Sequence, residues 1–144
     1  MLALLTLAAT AASSAPPPLA ATSDRAPALN TPLTARPGDP AAGRRIVVDR
    51  TAGTCLLCHT GPFPDPHLHG SIGPSLADAG SRLSAGQIRL RLVEPARAEP
   101  DSVMPSFRAT SGLHRVGQPW RGRPILTDQQ IEDVVAFLAT LRSP

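Results

Sequence analysis

The sequence predicts an all-α domain in which three or four short helices are joined by long loops. Ser84 and Thr127 each precede a glutamine by three residues and stand before an apolar stripe, a pattern typical of a helix N-terminus. The 144-residue chain has three Phe, one Trp and no Tyr, which is a small aromatic content for a domain core. Its two cysteines, Cys55 and Cys58, lie three positions apart. We therefore expect either an aliphatic interior or a bound group that fills part of the core.

The N-terminus is expected to be a signal peptide. Residues 1–12 are uncharged and apolar, but a stretch of this length is too short to cross a bilayer of about 30 Å as a helix. Small residues suited to cleavage follow at Ala12, Ala15 and Ala21. We predict a signal peptide over residues 1–21, no membrane span, and export to the periplasm. The alternative is a buried apolar N-terminal segment.

A proline-rich stretch separates this segment from the expected folded part. Residues 13–38 contain six of the 17 prolines, many Ala, Ser and Thr, and almost no periodic apolar pattern. Such a composition is typical of a spacer that buries too little apolar surface to fold. We predict a disordered leader over residues 22–38 and one folded domain over residues 39–144.

The first helix is predicted to begin after Asp39. The Asp39 side chain can cap a helix that has Pro40 at its first position. Its apolar face consists of Gly43, Ile46 and Val47. We expect this helix to be short, because Arg50 and Gly53 follow closely and end it.

The next two helices are predicted from capping boxes. Ser84 with Gln87 precedes an apolar run that stops before Pro95, although the alternation in this run would also suit a strand. The run consists of Ile88, Leu90, Leu92 and Val93. Thr127 with Gln130 begins the clearest helix, expected to close near Arg142. Its stripe consists of Ile131, Val134, Val135, Leu138 and Leu141.

Two loop-rich stretches lie between the predicted helices, over residues 60–80 and 95–126. They are long for a compact domain, which indicates a functional role or a bulky ligand to surround. The charge distribution gives only a weak indication of the kind of partner. The formal net charge is +3, and all 14 basic residues are Arg, scattered among Asp and Glu. Nucleic-acid binding is therefore not favoured, and an acidic protein partner stays open.

The most specific motif is Cys55-Leu56-Leu57-Cys58-His59. Two thiols at i and i+3 lie on one side of a helical turn, where each can add to one vinyl group of a haem, and His59 can then reach the iron. A thioredoxin-type dithiol needs a βαβ context, and a zinc site needs a second cysteine pair. The chain has neither pattern. We predict one covalently attached haem c, which also supplies the apolar volume that the aromatic residues lack.

The segment Gly73-Pro74-Ser75-Leu76 resembles the Gly-Pro-x-Leu segment that follows the attachment motif in class I cytochromes c. A histidine that binds iron needs an acceptor for its other nitrogen, which fixes its tautomer and orientation. The resemblance implies that the Pro74 carbonyl oxygen accepts this hydrogen bond from His59. The alternative is a plain turn. The fold expected on this basis is the class I cytochrome c fold.

The sixth iron ligand has several candidates. After removal of Met1 with the signal peptide, Met104 is the one remaining methionine, and the chain also has His67, His69 and His114. The Met104-Pro105 pair resembles the Met-Pro at the distal ligand of class I cytochromes c, which favours His59 and Met104 as the iron ligands. The alternative for Met104 is a core thioether that fills a gap. His67 and His69 could hold a second metal, but such a pair in a Pro-rich loop is more often solvated.

Residues 39–142 resemble SoxX, the monohaem cytochrome c subunit of the bacterial sulfur-oxidation system. Beyond the haem motif, the likeness rests on residues 38–44, 93–95 with 103–107, 112–116, and 121–127 leading into 132–136. The insert before the terminal helix is the most telling part, because generic monohaem cytochromes end soon after their distal Met. Where family members often have Tyr, this chain has Phe107, which loses a hydroxyl hydrogen bond.

The resemblance implies an electron-transfer subunit rather than a catalyst on its own. SoxX forms a heterodimer with SoxA, another haem protein, and the SoxAX complex is an L-cysteine S-thiosulfotransferase that oxidatively joins thiosulfate to a cysteine of the carrier SoxYZ. The haem would take electrons and pass them to a small soluble cytochrome. His/Met ligation suits that role, because it raises the potential and leaves no free iron site. The chain would have no catalytic residue of its own.

Two other functions stay open. The first is a free-standing periplasmic electron carrier, which would purify without a second chain. The second is a haem-based sensor or peroxidase-like protein, which would need an iron that Met104 does not bind.

The insert over residues 107–126 is the candidate partner surface. It combines Arg with Trp, both enriched in protein interfaces, and with several turn-forming residues. These are Arg108, Arg115, Trp120, Arg121 and Arg123, with Gly112, Gly117, Pro119 and Gly122. The alternative is a solvated loop at the haem edge, whose arginines pair with haem propionates.

Overall fold

The structure is a computed structural model that describes residues 26–142. Within that range it has five α-helices, three single 3₁₀ turns and no strand, which confirms the all-α prediction. The helices are α1 (Pro40–Val48), α2 (Ala79–Arg82), α3 (Ala85–Val93), α4 (Pro95–Ala98) and α5 (Asp128–Leu138). The predicted signal peptide over residues 1–21 lies outside the described residues.

Helices α1 and α5 pack most closely, and a glycine allows the contact. A Cβ at the buried Gly43 would overlap the carbonyl group of Asp133 on α5. The Asp133 carboxylate accepts the N–H of Asp39, the residue that caps α1, at 2.9 Å. The Asp39 side chain in turn accepts the Ala41 N–H at 2.8 Å. The start of α1 is therefore fixed to the middle of α5 by both backbone contact and hydrogen bonds.

Helices α3 and α5 begin with the capping boxes that the sequence predicts. In α3, Ser84 and Gln87 exchange side-chain and backbone hydrogen bonds, and Thr127 and Gln130 do the same in α5. The strand alternative for residues 88–93 is excluded, because that run belongs to α3. Apolar and charged residues alternate in this run, yet nearly all of α3 is buried, including Arg89.

Helix α5 ends earlier than the sequence predicts. The last helical residue is Leu138 instead of a residue near Arg142. The N–H groups of Thr140 and Leu141 bond back to Phe137 and Leu138 in a tighter turn. The Leu141 carbonyl oxygen then accepts the Gly80 N–H at 2.8 Å, so the residues directly after α5 are held against α2 instead of continuing the helix.

The leader prediction is wrong for the described part of residues 22–38. Residues 26–38 lie along α3 and α5 without forming a helix. The Leu29 N–H donates to the Gly86 carbonyl oxygen at 2.9 Å, and the Leu33 N–H donates to Glu132 Oε1 at the same distance. Composition predicts disorder here because the segment has no apolar period. The order comes from polar groups on distant helices, which composition does not reveal.

The core lies between α1, α3 and α5 and includes three of the four aromatic residues. Phe63, Phe107 and Phe137 are buried, whereas Trp120 is exposed. Phe63 and Phe137 face each other with ring centroids 6.1 Å apart. Within residues 26–142, no helix is long and apolar enough to span a membrane.

Candidate haem site

The attachment motif forms a single tight turn at the edge of the core. Residues Cys55–Leu57 make one 3₁₀ turn, which follows Thr54 in a left-handed backbone conformation with φ of 54°. The Cys55 carbonyl oxygen accepts the N–H groups of Cys58 at 3.2 Å and His59 at 3.0 Å. These bonds hold both thiols and the imidazole in one short segment. Neither cysteine is in a disulfide.

The two thiols differ in their surroundings. Cys55 packs against the hydrophobic core, and burial raises the pKa of its thiol to about 11. Its Sγ lies 3.5 Å from the Gly53 carbonyl oxygen, which it can reach as a weak donor. Cys58 is half-buried. A redox dithiol needs a stabilised thiolate, so the protonated Cys55 thiol does not favour that alternative.

A second segment is fastened beside the motif by three backbone hydrogen bonds. The N–H groups of Gly70, Gly73 and Leu76 donate to the carbonyl oxygens of Leu56, Cys58 and Thr60, respectively, at 2.8 to 2.9 Å. This pairing aligns residues 70–76 with residues 56–60. It places the Pro74 carbonyl oxygen 2.7 Å from His59 Nδ1. The structure therefore has the His59–Pro74 contact that the sequence comparison implies.

That contact decides which histidine nitrogen can bind a metal. A carbonyl oxygen only accepts, so Nδ1 must hold the proton and donate. In the neutral imidazole, Nε2 is then the nitrogen without a proton, the form that binds iron. Gly73 completes the arrangement, because a Cβ at this position would overlap the His59 ring. The imidazole thus lies directly on the backbone of residue 73.

Met104 lies in a separate loop that borders the same core. Its side chain is half-buried and packs against the core cluster to which Cys55 and Leu76 also belong. The Met104 N–H donates to the Ser102 hydroxyl at 3.2 Å. Three residues later, the Phe107 N–H donates to the Leu92 carbonyl oxygen at 2.9 Å. The loop is thereby seated on the C-terminal end of α3.

The other histidines have different surroundings. His69 Nε2 lies 2.9 Å from the Pro64 carbonyl oxygen, and its ring makes an edge contact with Phe63. His67 is exposed in the 3₁₀ turn Pro66–Leu68, and His114 is exposed in the insert. Within residues 26–142, no group of three or more His, Cys, Asp or Glu is arranged to hold a metal ion.

The residues present fit a covalently bound haem. The chain provides two free thiols at the required spacing, an imidazole with a free Nε2, and a half-buried thioether beside the same core. Large apolar side chains next to both loops are exposed. Ile72, two residues before Pro74, is 73% exposed, and Val103, just before Met104, is 82% exposed. An apolar macrocycle would cover surface of this kind.

The insert is closed at its base by a salt bridge. Arg108 Nε and Nη2 lie 2.7 and 3.1 Å from the two carboxylate oxygens of Asp128, at the start of α5. The hydrogen bond from Arg108 lowers the pKa of the Asp128 carboxyl group below its ordinary value of 3.8. The Leu126 N–H also donates to the Phe107 carbonyl oxygen at 3.0 Å. Residues 109–125 therefore leave and re-enter the domain at one fixed point.

Arg108 thus differs from the other arginines of the insert. Arg121 Nε donates to the Val116 carbonyl oxygen at 3.3 Å and so supports the insert itself. Arg115 and Arg123 are exposed, as is Trp120 at 46%.

The sequence analysis did not identify two other polar groups of the domain. These are the Arg89–Glu132 ion pair and the Ser106 hydroxyl, which donates a hydrogen bond to the end of α3. The ion pair had one signal in the sequence, which is the charged residue Arg89 inside the apolar run of α3.

Comparisons with known proteins agree with this geometry. The cytochrome c family pattern matches residues 40–142. The SoxXA structure from P. pantotrophus is 37% identical, with a TM-score of 0.73, over 81% of this chain and 90% of that chain. The c-type cytochrome SorU from Sinorhizobium meliloti is 26% identical over 72% of this chain and 90% of its own, and its TM-score of 0.40 is too low to support an argument. A search of the curated proteins found no match.

These likenesses confirm the class I cytochrome c fold expected from the sequence. The family pattern begins at Pro40, the first residue of α1, and ends after α5. The likeness to the SoxXA structure also extends over most of this chain and most of the matched chain. The chain therefore belongs to the cytochrome c family, within its SoxX group.

Proposed function

We propose that the chain is the electron-transfer subunit of a SoxAX complex that joins thiosulfate to a cysteine of the SoxYZ carrier. The observation that supports this most is the 37% identity to the SoxXA structure, which extends over 90% of that chain. A haem bound here supplies one-electron transfer between ferric and ferrous iron. The joining reaction forms an S–S bond between thiosulfate and the thiol and releases one proton and two electrons. An electron carrier is therefore a required part of the complex.

The chain's own residues would bind and orient the cofactor. Cys55 and Cys58 would form the two thioether bonds, and the Pro74 carbonyl oxygen would orient His59 so that Nε2 faces the iron. Met104 would be the second protein ligand. With His59 and Met104 both bound to the iron, oxygen and sulfur compounds would have no open iron position. The substrate cysteine chemistry would belong to the partner subunit.

The partners follow from this assignment. A SoxA-type cytochrome would bind this chain, the SoxYZ carrier would be reached through the complex, and a small soluble cytochrome would accept the electrons. The predicted location is the periplasm, where such carriers meet exported proteins. One haem is expected, because residues 26–142 contain one Cys-x-x-Cys-His motif.

The tip of the insert is the surface that we assign to the SoxA-type partner. Arg115 and Arg123 are exposed there, beside Leu113 and Trp120, which are 43% and 46% exposed. Exposed Arg and Trp together are typical of interfaces. The fixed base at Arg108 and Asp128 would hold this tip in one orientation, which reduces the entropy lost on binding.

Reconstitution tests the proposal. The haem-loaded chain and a SoxA-type subunit are co-expressed in a periplasm, and the purified complex is incubated with SoxYZ, thiosulfate and an oxidised small cytochrome. The expected result is co-purification of both subunits, a thiosulfonate mass increase on the SoxYZ cysteine, and reduction of the acceptor. If the chain purifies alone and still exchanges electrons with the acceptor, it is a free-standing carrier and the proposal is wrong.

A further inference from the structure

The Ser106 hydroxyl fastens the Met104 loop to the rest of the domain. It donates to the Val93 carbonyl oxygen at 2.6 Å and accepts the Ala109 N–H at 3.0 Å. Val93 is the last residue of α3 and is buried. Ser106 therefore ties the chain two residues after Met104 to the end of a core helix.

The N-terminal side of the loop is held less firmly. The Met104 N–H donates to Ser102, and the Ser102 N–H donates to the Glu99 carbonyl oxygen at 3.0 Å, so these bonds stay within the loop and its entry turn. Val103 is 82% exposed. Arg91 of α3 reaches the Glu99 carboxylate of the entry turn only at 3.5 Å, so the hydrogen bonds between α3 and residues 102–107 come from Ser106 and from the N–H of the buried Phe107.

We infer that Ser106 is a positioning residue for the distal side of the haem, because it holds the Met104 turn against α3 and so keeps the thioether on the iron. The inference rests on the proposed coordination of iron by Met104. Release of Met104 from the iron would be easier if its turn could move away from α3, and the hydrogen bonds to α3 would oppose that motion. An added ligand that binds the opened form has an apparent affinity proportional to the opened fraction. Loss of the Ser106 hydroxyl should therefore raise that affinity.

Imidazole titration of the oxidised, haem-loaded protein measures this affinity. The readout is loss of the weak red absorption band that a sulfur ligand gives to ferric haem. Ser106→Ala should raise the imidazole affinity by about fivefold or more, the effect of about one lost hydrogen bond. Ser106→Thr keeps a hydroxyl and should return the affinity toward that of the unchanged protein. The matched control is Ser111→Ala in the insert, an exposed serine whose hydroxyl makes no hydrogen bond within the described residues.

Three outcomes would overturn the inference, and they are distinguishable. If Ser106→Ala and Ser111→Ala titrate alike, the hydroxyl does not position Met104. If Ser106→Ala lowers the unfolding temperature but leaves the imidazole affinity unchanged, Ser106 has a structural role only. If Met104→Ala keeps the red band, Met104 does not bind the iron, and the proposed coordination fails together with this inference.

Discussion

Arg89 and Glu132 form a buried two-point ion pair that joins α3 to α5. Arg89 Nε lies 2.7 Å from Glu132 Oε1, Nη2 lies 2.8 Å from Oε2, and both side chains are 6% exposed. Arg89 Nη1 also donates to the Leu29 carbonyl oxygen at 2.7 Å, and Glu132 Oε1 accepts the Leu33 N–H. One ion pair therefore fixes two helices and the N-terminal segment together.

Removal of Glu132 should destabilise the protein strongly. Glu132→Ala leaves the buried Arg89 charge without its partner, and we expect the free energy of unfolding to fall by about 3–5 kcal/mol. Denaturant unfolding of the haem-loaded protein measures it. The matched control is Asp78→Ala, which breaks the Arg82–Asp78 pair, whose side chains are 39% and 34% exposed. That loss should be about 1 kcal/mol or less, and an equal loss in both variants would contradict the prediction.

The same pair should make stability depend on acid pH. Burial alone would raise the pKa of Glu132, but hydrogen bonds from Arg89 and the Leu33 N–H, with the Arg89 charge, together lower that pKa below the ordinary 4.5. A carboxyl group with a lowered pKa in the folded state stabilises the fold above its unfolded pKa. The contribution is lost as the pH falls from 4.5 through the lower folded value.

Unfolding at a series of pH values, compared with Glu132→Gln, tests this dependence. Glutamine does not titrate, so the stability difference between the two proteins should be constant above pH 4.5 and shrink below it. A difference that stays constant into strong acid would show that Glu132 does not supply this pH dependence.

Covalent attachment should depend on both cysteines. Cys55→Ser or Cys58→Ser removes one thioether bond and should weaken haem retention. The double change should abolish it and leave the chain largely unfolded, because the cofactor supplies much of the core volume. Denaturing gels stained for haem measure retention, and circular dichroism measures helix content. Release of haem from the unchanged protein by acidic organic extraction would contradict covalent attachment.

Met104 should be the distal iron ligand. Met104→Ala should remove the weak red band of the oxidised protein and allow carbon monoxide to bind the reduced iron. His69→Ala should do neither, because the His69 ring is engaged by Pro64 and Phe63. If His69→Ala instead changes the spectrum and Met104→Ala does not, the iron has two histidine ligands, and its reduction potential should be lower.

Local signals predicted the helices well because they act within a few residues. The Asp39 cap and the two capping boxes each satisfy N–H groups of their own helix, so three helix starts could be placed from the sequence. The four-residue helices α2 and α4 have no such side-chain cap and were not predicted. The end of α5 depends on the Gly80 contact, more than 50 residues away in the chain.

The same difference between local and long-range signals applies to the candidate site and its surroundings. The spacing of Cys55, Cys58 and His59 is local, and the family resemblance correctly implied the His59–Pro74 contact. The order of residues 26–38 depends on Arg89 and Glu132. Such a long-range polar contact leaves no periodic pattern in a single sequence, so composition alone predicted disorder.

The tip of the insert should bind the SoxA-type partner through its exposed arginines. Arg115→Glu with Arg123→Glu changes two exposed side chains and leaves the Arg108–Asp128 base and the Arg121–Val116 bond in place. Reversed charge beside Trp120 should weaken co-purification by tenfold or more, about 1.4 kcal/mol, through lost contacts and repulsion from an acidic partner surface. The absorption spectrum should not change.

The matched control reverses the same number of charges on the exposed face of α1, through Arg44→Glu with Arg45→Glu. Because net charge changes equally in both double variants, a loss of binding confined to the insert variant identifies the surface and excludes a general charge effect. Equal binding by both variants would place the interface elsewhere. A changed spectrum with an intact complex would mean that Arg115 and Arg123 serve the haem, where arginine can pair with propionate groups.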